Sequence, residues 1–309
     1  AGKGYGQFLE ERMAAILPFC ARDGLVVVSN LGAANPPAAL AKTVEIARTL
    51  GVGGFRIGAV TGDDVLEKLL SENAAVMETG GTVRDLGDRL VSANAYLGAE
   101  ALLPALEAGC RVILAGRVAD PSLFLAPMIH EYRWDLADWT RLGAGTALSH
   151  LLECAAQVTG GYFADPGLKD VDRLEDVGFP IAEVTEDGEG IITKVPGTGG
   201  RVTPGTCREQ LLYEVHDPAS YLTPDVTADF SNIVLKDLGN DRVRVTGADG
   251  RPRPENLKVS LGVRQGFLGE GEVSYAGHGA MNRARLAAEI VLKRSEERRV
   301  GKECFVPCR

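Results

Sequence analysis

Short apolar runs alternate with stretches of helical period through the first half of the chain. Gly24-Leu25-Val26-Val27-Val28-Ser29 reads as a strand. Residues 37–50 read as a helix, because Leu40, Val44, Ala47 and Leu50 recur at helical spacing. Phe55-Arg56-Ile57-Gly58-Ala59-Val60 predicts a second strand, and residues 64–70 a helix. Leu90-Val91-Ser92-Ala93-Asn94 predicts a third strand, followed by a helix over 99–107. Arg111-Val112-Ile113-Leu114-Ala115 predicts a fourth. Asp120-Pro121 then opens a helix, with Asp120 as N-cap and Pro in the first turn. A longer helix is predicted over 139–157, ended by Gly160-Gly161. An amphipathic stretch over 8–19 precedes all of these.

The βαβα rhythm implies one parallel sheet with helices on both faces. After Asp165 the pattern changes. Strands are predicted at 190–193, 229–235, 242–246, 256–263 and 272–275, with a turn at Gly239-Asn240 and helices from about 206 and over 281–292. The expected class is therefore α/β: a parallel domain over 1–164, then a smaller α+β domain with mixed or antiparallel strands over 165–293.

Residues 294–309 are set apart. Arg294-Ser295-Glu296-Glu297-Arg298-Arg299-Val300-Gly301-Lys302-Glu303-Cys304 resembles a translated sequencing adapter, so this tail is read as non-native and packing on nothing. The tail holds more basic than acidic residues, so the rest of the chain is more acidic than the overall net charge of −9. That balance argues against nucleic acid or an anionic membrane as partner. No apolar run approaches the ~18 residues of a membrane helix. Cys20, Cys110, Cys154 and Cys207 are scattered, with no C-x-x-C, which fits reduced thiols in a cytoplasmic protein.

Right-handed crossovers bring the carboxyl ends of parallel strands to one edge, where ligands bind in open α/β sheets. The four strand-end loops would place Asn30, Asn35, Asp63, Asp64, Asn94, Tyr96, Arg117 and Asp120 around one crevice. Amides and a guanidinium hold a carboxylate or a polarised carbonyl. Asp63 or Asp64 would serve as a general base or hold a hard cation. Asn and Asp are also turn and cap residues, and Asp64 and Asp120 are the two most suited to that plain role. A strand-end Arg117 needs an anionic partner, and none stands beside it in sequence. His150, Glu153 and Cys154 share one helical face. They form a Cys–His nucleophile, a metal-sharing pair, or an ordinary packed face. Pro196-Gly197-Thr198-Gly199-Gly200, between Lys194 and Arg201, is a Gly-rich loop able to cradle an anion or to serve as a turn. The P-loop, G-x-G-x-x-G, H-E-x-x-H and G-x-S-x-G patterns are absent, so no motif names a cofactor or a metal site.

Ser92-Ala93-Asn94-Ala95-Tyr96-Leu97-Gly98-Ala99-Glu100 resembles a hallmark of the acyclic terpene utilisation family. Val60-Thr61-Gly62-Asp63-Asp64, Gly116-Arg117-Val118-Ala119-Asp120 and His150-Leu151-Leu152-Glu153-Cys154 do so too. Gln157-Val158-Thr159-Gly160-Gly161, Gly178-Phe179-Pro180-Ile181-Ala182-Glu183-Val184, Pro196 to Gly200 and Tyr221-Leu222-Thr223-Pro224-Asp225-Val226 complete the resemblance, which runs in order through 4–292. It implies that roughly 60 residues, about two strand-and-helix units, precede Ala1 in such proteins. It also implies a part in bacterial degradation of citronellol- and geraniol-type terpenes, which proceeds through branched acyl-CoA thioesters.

Two functions are expected from these readings. One is a non-redox catabolic enzyme, of lyase, hydratase or hydrolase type, acting on a branched acyl-CoA or carboxylic acid. Asp63 would be its base, Asn30, Asn94 and Arg117 would hold the carbonyl or carboxylate, and Gly197, Thr198, Gly199 and Gly200 would take the CoA phosphates. The other is a non-catalytic binding or scaffolding subunit of the same pathway. The expected partner is a small carboxylate or acyl-CoA, with assembly into a homo-oligomer open.

Overall fold

A computed structural model of the chain describes residues 3–266 and 271–294. Most of the tail set apart above, 295–309, lies outside the described residues. The chain forms two units, Ala1–Val263 and Arg264–Arg309.

The first unit opens with α1 (Leu9–Asp23), β1 (Val27–Ser29), α2 (Pro36–Thr49) and β2 (Arg56–Val60). α3 (Leu66–Glu72), β3 (Leu90–Ala95), α4 (Leu103–Glu107) and β4 (Cys110–Ala115) follow, then α5 (Asp120–Tyr132) and α6 (Trp139–Glu153). Three strands make a parallel sheet in the order β1-β4-β2. The pleat of the central strand divides its side chains between two layers. Val112 and Leu114 pack with Leu9, Met13, Leu17 and Cys20 of α1 and Ala39 and Ala47 of α2. Ile113 and Ala115 pack with Leu102, Leu106, Leu125, Ala126 and Ile129 on the other side. Helices therefore cover both faces, as the βα rhythm predicts.

α2 turns a different stripe inward from the one expected. Pro36, Ala39, Thr43 and Ala47 are buried, whereas Leu40 and Val44 are half-buried and Leu50 is exposed. The small side chains let the helix lie close to the sheet, and the larger ones flank the contact.

The third predicted strand is real but does not join the parallel sheet. β3 pairs antiparallel with the last strand of the unit, β12 (Val259–Val263). Only its carboxyl end reaches the sheet's edge. Asp64 bridges Asn94 in antiparallel sense, and Leu97 bridges Val118 in parallel sense. The segment thus crosses the strand ends of β2 and β4 instead of lying beside them.

The second half adds β5 (Pro180–Val184), β6 (Gly190–Lys194), α7 (Pro204–Leu212), β7 (Tyr221–Leu222) and β8 (Thr227–Asp229). Then come β9 (Val234–Gly239), β10 (Arg242–Thr246), β11 (Asp249–Arg251) and β12 (Val259–Val263). The pairing here is antiparallel, with sheets ordered β5-β6-β10-β9 and β11-β8-β7. The single run expected at 229–235 is two strands, because Phe230 to Ile233 turn the chain from one sheet to the other. Ile192, Val243 and Val245 share one hydrophobic core with Leu142, Leu148 and Leu151 of α6 and with Leu125 of α5. The change of pattern near 165 is therefore a change from parallel to antiparallel pairing within one core.

In the second unit, the strand expected at 272–275 does not form. The predicted last helix does, as α8 (Ala280–Arg294). Among the described residues no helix is long and apolar enough to cross a membrane.

Candidate functional site

Asp63 is the node of the strand-end region. It follows β2, is 5% exposed, and its Oδ2 accepts from Asn94 Nδ2 at 3.0 Å and from the Arg117 backbone N–H at 2.9 Å. Its own carbonyl accepts from the Ala95 N–H at 2.7 Å. One carboxylate thus ties the ends of β2, β3 and β4 together. Gly116 is required beside it, since a Cβ there would stand 2.5 Å from Asp63 Oδ1. Asp63 was expected as a base. Its burial and its hydrogen bonds instead make it the group that shapes the crevice.

Around that node lie Tyr96, Arg117 and Asp120. The Arg117 guanidinium and the Lys258 ammonium each stand 5.1 Å from the centroid of the Tyr96 ring, within cation–π range. Ser260 Oγ donates to Tyr96 Oη at 3.3 Å, and the Tyr96 N–H donates to the Lys258 carbonyl at 2.9 Å. Both cations are exposed, and among the described residues neither forms an ion pair. Asn30 Nδ2 donates to Asp120 Oδ1 at 3.2 Å. Ala119, not Asp120, is the N-cap of α5, so the Asp120 carboxyl is free of capping and faces Asn30 across the sheet edge. Partial burial pushes the Asp120 carboxyl above the usual carboxylate range. Arg117 and the Asn30 hydrogen bond pull it down, and Glu214 pushes it further up.

Two of the strand-end residues take the plain role. Asn35 caps α2 by accepting from the Ala38 N–H at 3.2 Å. Asp64 is exposed and accepts from the Leu66 N–H at 3.2 Å as α3 begins.

The face of α6 forms a pair, but not the Cys–His one. His150 Nδ1 and Glu153 Oε1 are 2.5 Å apart, with His150 1% exposed and its ring against Tyr221 and Phe230. Cys154 stays out of that pair. Burial pushes its thiol up, nearby Glu153, Glu214 and Asp120 add to that, and Gln210 opposes it. A thiol raised in this way is a poor nucleophile. Among the described residues no group of three or more His, Cys, Asp or Glu side chains is placed to share a metal ion.

The Gly-rich loop spends its donors inside the protein. The N–H groups of Thr198, Gly199, Gly200 and Arg201 bond to the carbonyls of Val195, Asp176, Asp172 and Thr159. Lys194 Nζ donates to the Thr198 carbonyl at 2.7 Å and lies 3.4 Å from Asp241. Gly199 packs where a Cβ would fall 1.9 Å from the Arg173 carbonyl oxygen. Gly197, Thr198, Gly199 and Gly200 are thus a close backbone crossing rather than a phosphate cradle.

Lys258, Ser260 and Glu214 belong to this region and were not singled out from the sequence. β12 pairs with β3 in the register Ser260↔Asn94, across a separation of more than a hundred residues that no local pattern reveals. Asp225 was also missed as a functional group, although it lies in the Tyr221 to Val226 run. It is buried, and accepts from the Ala99 N–H at 2.7 Å and from Ser122 Oγ.

Fold and site together define an α/β protein in which two cations, with no ion-pair partner among the described residues, stand over one tyrosine ring near the ends of the parallel strands, beside a carboxyl of raised pKa. The chain matches the family described as "Acyclic terpene utilisation family protein AtuA" over residues 1–306. It belongs to that family, and membership implies a role in acyclic terpene utilisation. No curated protein and no solved structure matches it.

Proposed function

We propose that this chain is a non-redox enzyme of terpene catabolism acting on an anionic branched acyl ligand, a free acid or its CoA thioester. Arg117 and Lys258 anchor the anion, Asn94 and Asn30 line the approach, and Asp120 exchanges the proton. The reading is carried by one arrangement: Asp120, hydrogen-bonded to Asn30 and raised in pKa by partial burial, lies close enough to feel the charge of Arg117, which among the described residues has no ion-pair partner. A general acid or base works best when its pKa is shifted toward neutrality. Lyase, hydratase or hydrolase chemistry is consistent with that group set. The unpaired Cys20, Cys110, Cys154 and Cys207 fit a reducing, cytoplasmic setting.

A second reading, a non-catalytic binding or scaffolding subunit, draws support from a different observation. Two surface cavities of about 190 and 210 Å³ lie away from the strand ends, one against α6 and one between α2 and β2. Cavities of this size are smaller than a usual ligand pocket and suit a contact surface more than a site of turnover. Titration of the full chain with 3-methylbutanoate and its CoA thioester, followed by product analysis, separates the two. Ligand binding with turnover that Asp120→Asn abolishes supports the enzyme. Binding with no product under any condition supports the subunit, and absence of binding overturns both.

A further inference from the structure

The anion expected at the strand ends has a charge that the site itself specifies. We propose that Arg117, Lys258 and Tyr96 form a subsite for a phosphoryl dianion, either a free phosphate or diphosphate, or the phosphates of a nucleotide-linked acyl carrier. This deepens the reading of an anionic acyl ligand and rests on it. Two like charges are held 5.1 Å from one ring centroid, and among the described residues no carboxylate forms an ion pair with either. A single carboxylate would offset one of them, whereas a phosphoryl dianion offsets both.

The hydrogen bonding points the same way. Tyr96 Oη and Ser260 Oγ share a hydrogen bond of 3.3 Å, and a phenol is able to donate its proton to an anion. Guanidinium, ammonium and phenol are then all donors, and a deprotonated phosphoryl group offers only acceptors. The placement is rigid, since Tyr96 and Lys258 are locked to one another through the β3–β12 pairing and the Tyr96 N–H bond to the Lys258 carbonyl. The other anion candidate, the Gly197 to Gly200 loop, has the amides of Thr198, Gly199 and Gly200 committed to backbone carbonyls.

Isothermal titration of the full chain at fixed ionic strength, with pyrophosphate, adenosine 3′,5′-bisphosphate and acetate, tests this. Both phosphoryl compounds should bind, with acetate weaker by about tenfold or more. Arg117→Ala and Lys258→Ala should each weaken phosphoryl binding about tenfold. Lys42→Ala, which removes an exposed cation paired with Glu45, should leave it unchanged. Circular dichroism melts establish that each variant is folded. A tighter bisphosphate assigns the subsite to a nucleotide carrier, and a tighter pyrophosphate to the free anion. Failure of both phosphoryl compounds to bind overturns the inference, as does acetate binding equally well or affinity unchanged in both variants. If 3-methylbutanoate still binds through Arg117 in that case, the proposed function stands without the phosphoryl subsite. If phosphoryl compounds bind and the acyl thioester binds no better than the bisphosphate alone, the subsite stands and the acyl reading falls.

Discussion

Asp63 accepts two hydrogen bonds on one oxygen and is buried, while Asp120 accepts one and keeps an open side. That difference separates a carboxylate that ties the strand ends together from one left open at their edge. Asp63→Ala leaves the Asn94 amide and the Arg117 N–H without their acceptor, and should cost about 2–4 kcal/mol in urea unfolding. Asp120 holds its proton to a higher pH in the folded protein than in the unfolded chain. Its contribution is therefore most favourable at acid pH, and stability is lost as pH climbs from the ordinary carboxylate range to the raised value. Asp120→Asn should raise the melting temperature at neutral pH, and the two proteins should converge as the pH falls below that range. Arg117→Ala should change the melting temperature little while weakening ligand binding about tenfold, because an exposed side chain whose printed contact is the Tyr96 ring holds little in the fold. Arg117→Lys should rescue only in part, since the planar fork is lost.

At the scale of elements, the β3–β12 pair delivers Asn94, Tyr96, Lys258 and Ser260 to the strand ends. Its ladder is separate from β1-β4-β2, so the two can be damaged independently. Leu261→Pro, opposite Ala93, removes a backbone donor and fixes φ, at a cost of about 3 kcal/mol or more if the N–H was bonded in the ladder. Hydrogen exchange should then show amides of 90–95 losing protection while those of β4 keep theirs. Loss of protection throughout would mean that the crossing segment supports the parallel sheet as well. α6 belongs to the same scale. His150 packs on Tyr221 and Phe230 while its Nδ1 meets Glu153, and the buried Gln210 amide donates to its carbonyl at 2.9 Å. The residues that looked reactive in sequence are those that join α6 to α7 and to the β7–β8 sheet.

For the molecule as a whole, one core takes side chains from both sides of residue 165, including Ile113, Leu148, Ile192 and Val243. A domain needs its own core to fold alone. Calorimetry should therefore show residues 1–263 unfolding in one transition, and a fragment of 165–263 should be unfolded in isolation. A second, separable transition from that fragment would show that the core spanning residue 165 does not unfold as a unit. The thiols follow the same packing. Cys207 is fully buried and its thiol is pushed up to about 12, so it should resist alkylation at neutral pH until the chain is denatured. Half-exposed Cys154 should label first of the two, which peptide mapping reads directly.

The local pattern was enough for the rhythm of strands and helices up to α6, the two-faced cover of the parallel sheet, and the presence of Asn30, Asp63, Asn94, Tyr96, Arg117 and Asp120 at strand ends. These follow from periodicity and from loop chemistry, which act over a few residues. Four things were decided only by tertiary structure. β3 left the parallel sheet because its partner, β12, lies more than 160 residues away, and strand pairing between distant segments leaves no local mark. The Gly-rich loop turned from cradle to crossing because Arg173 and Thr159 occupy the space its glycines leave. Asp63 became the tie between strand ends, and Asp120 was left uncapped beside Asn30, because burial and hydrogen bonding are properties of what surrounds a side chain, not of the side chain itself. Lys258 joined Arg117 on the Tyr96 ring for the same reason: an exposed lysine reads as surface until the chain folds a second cation beside it.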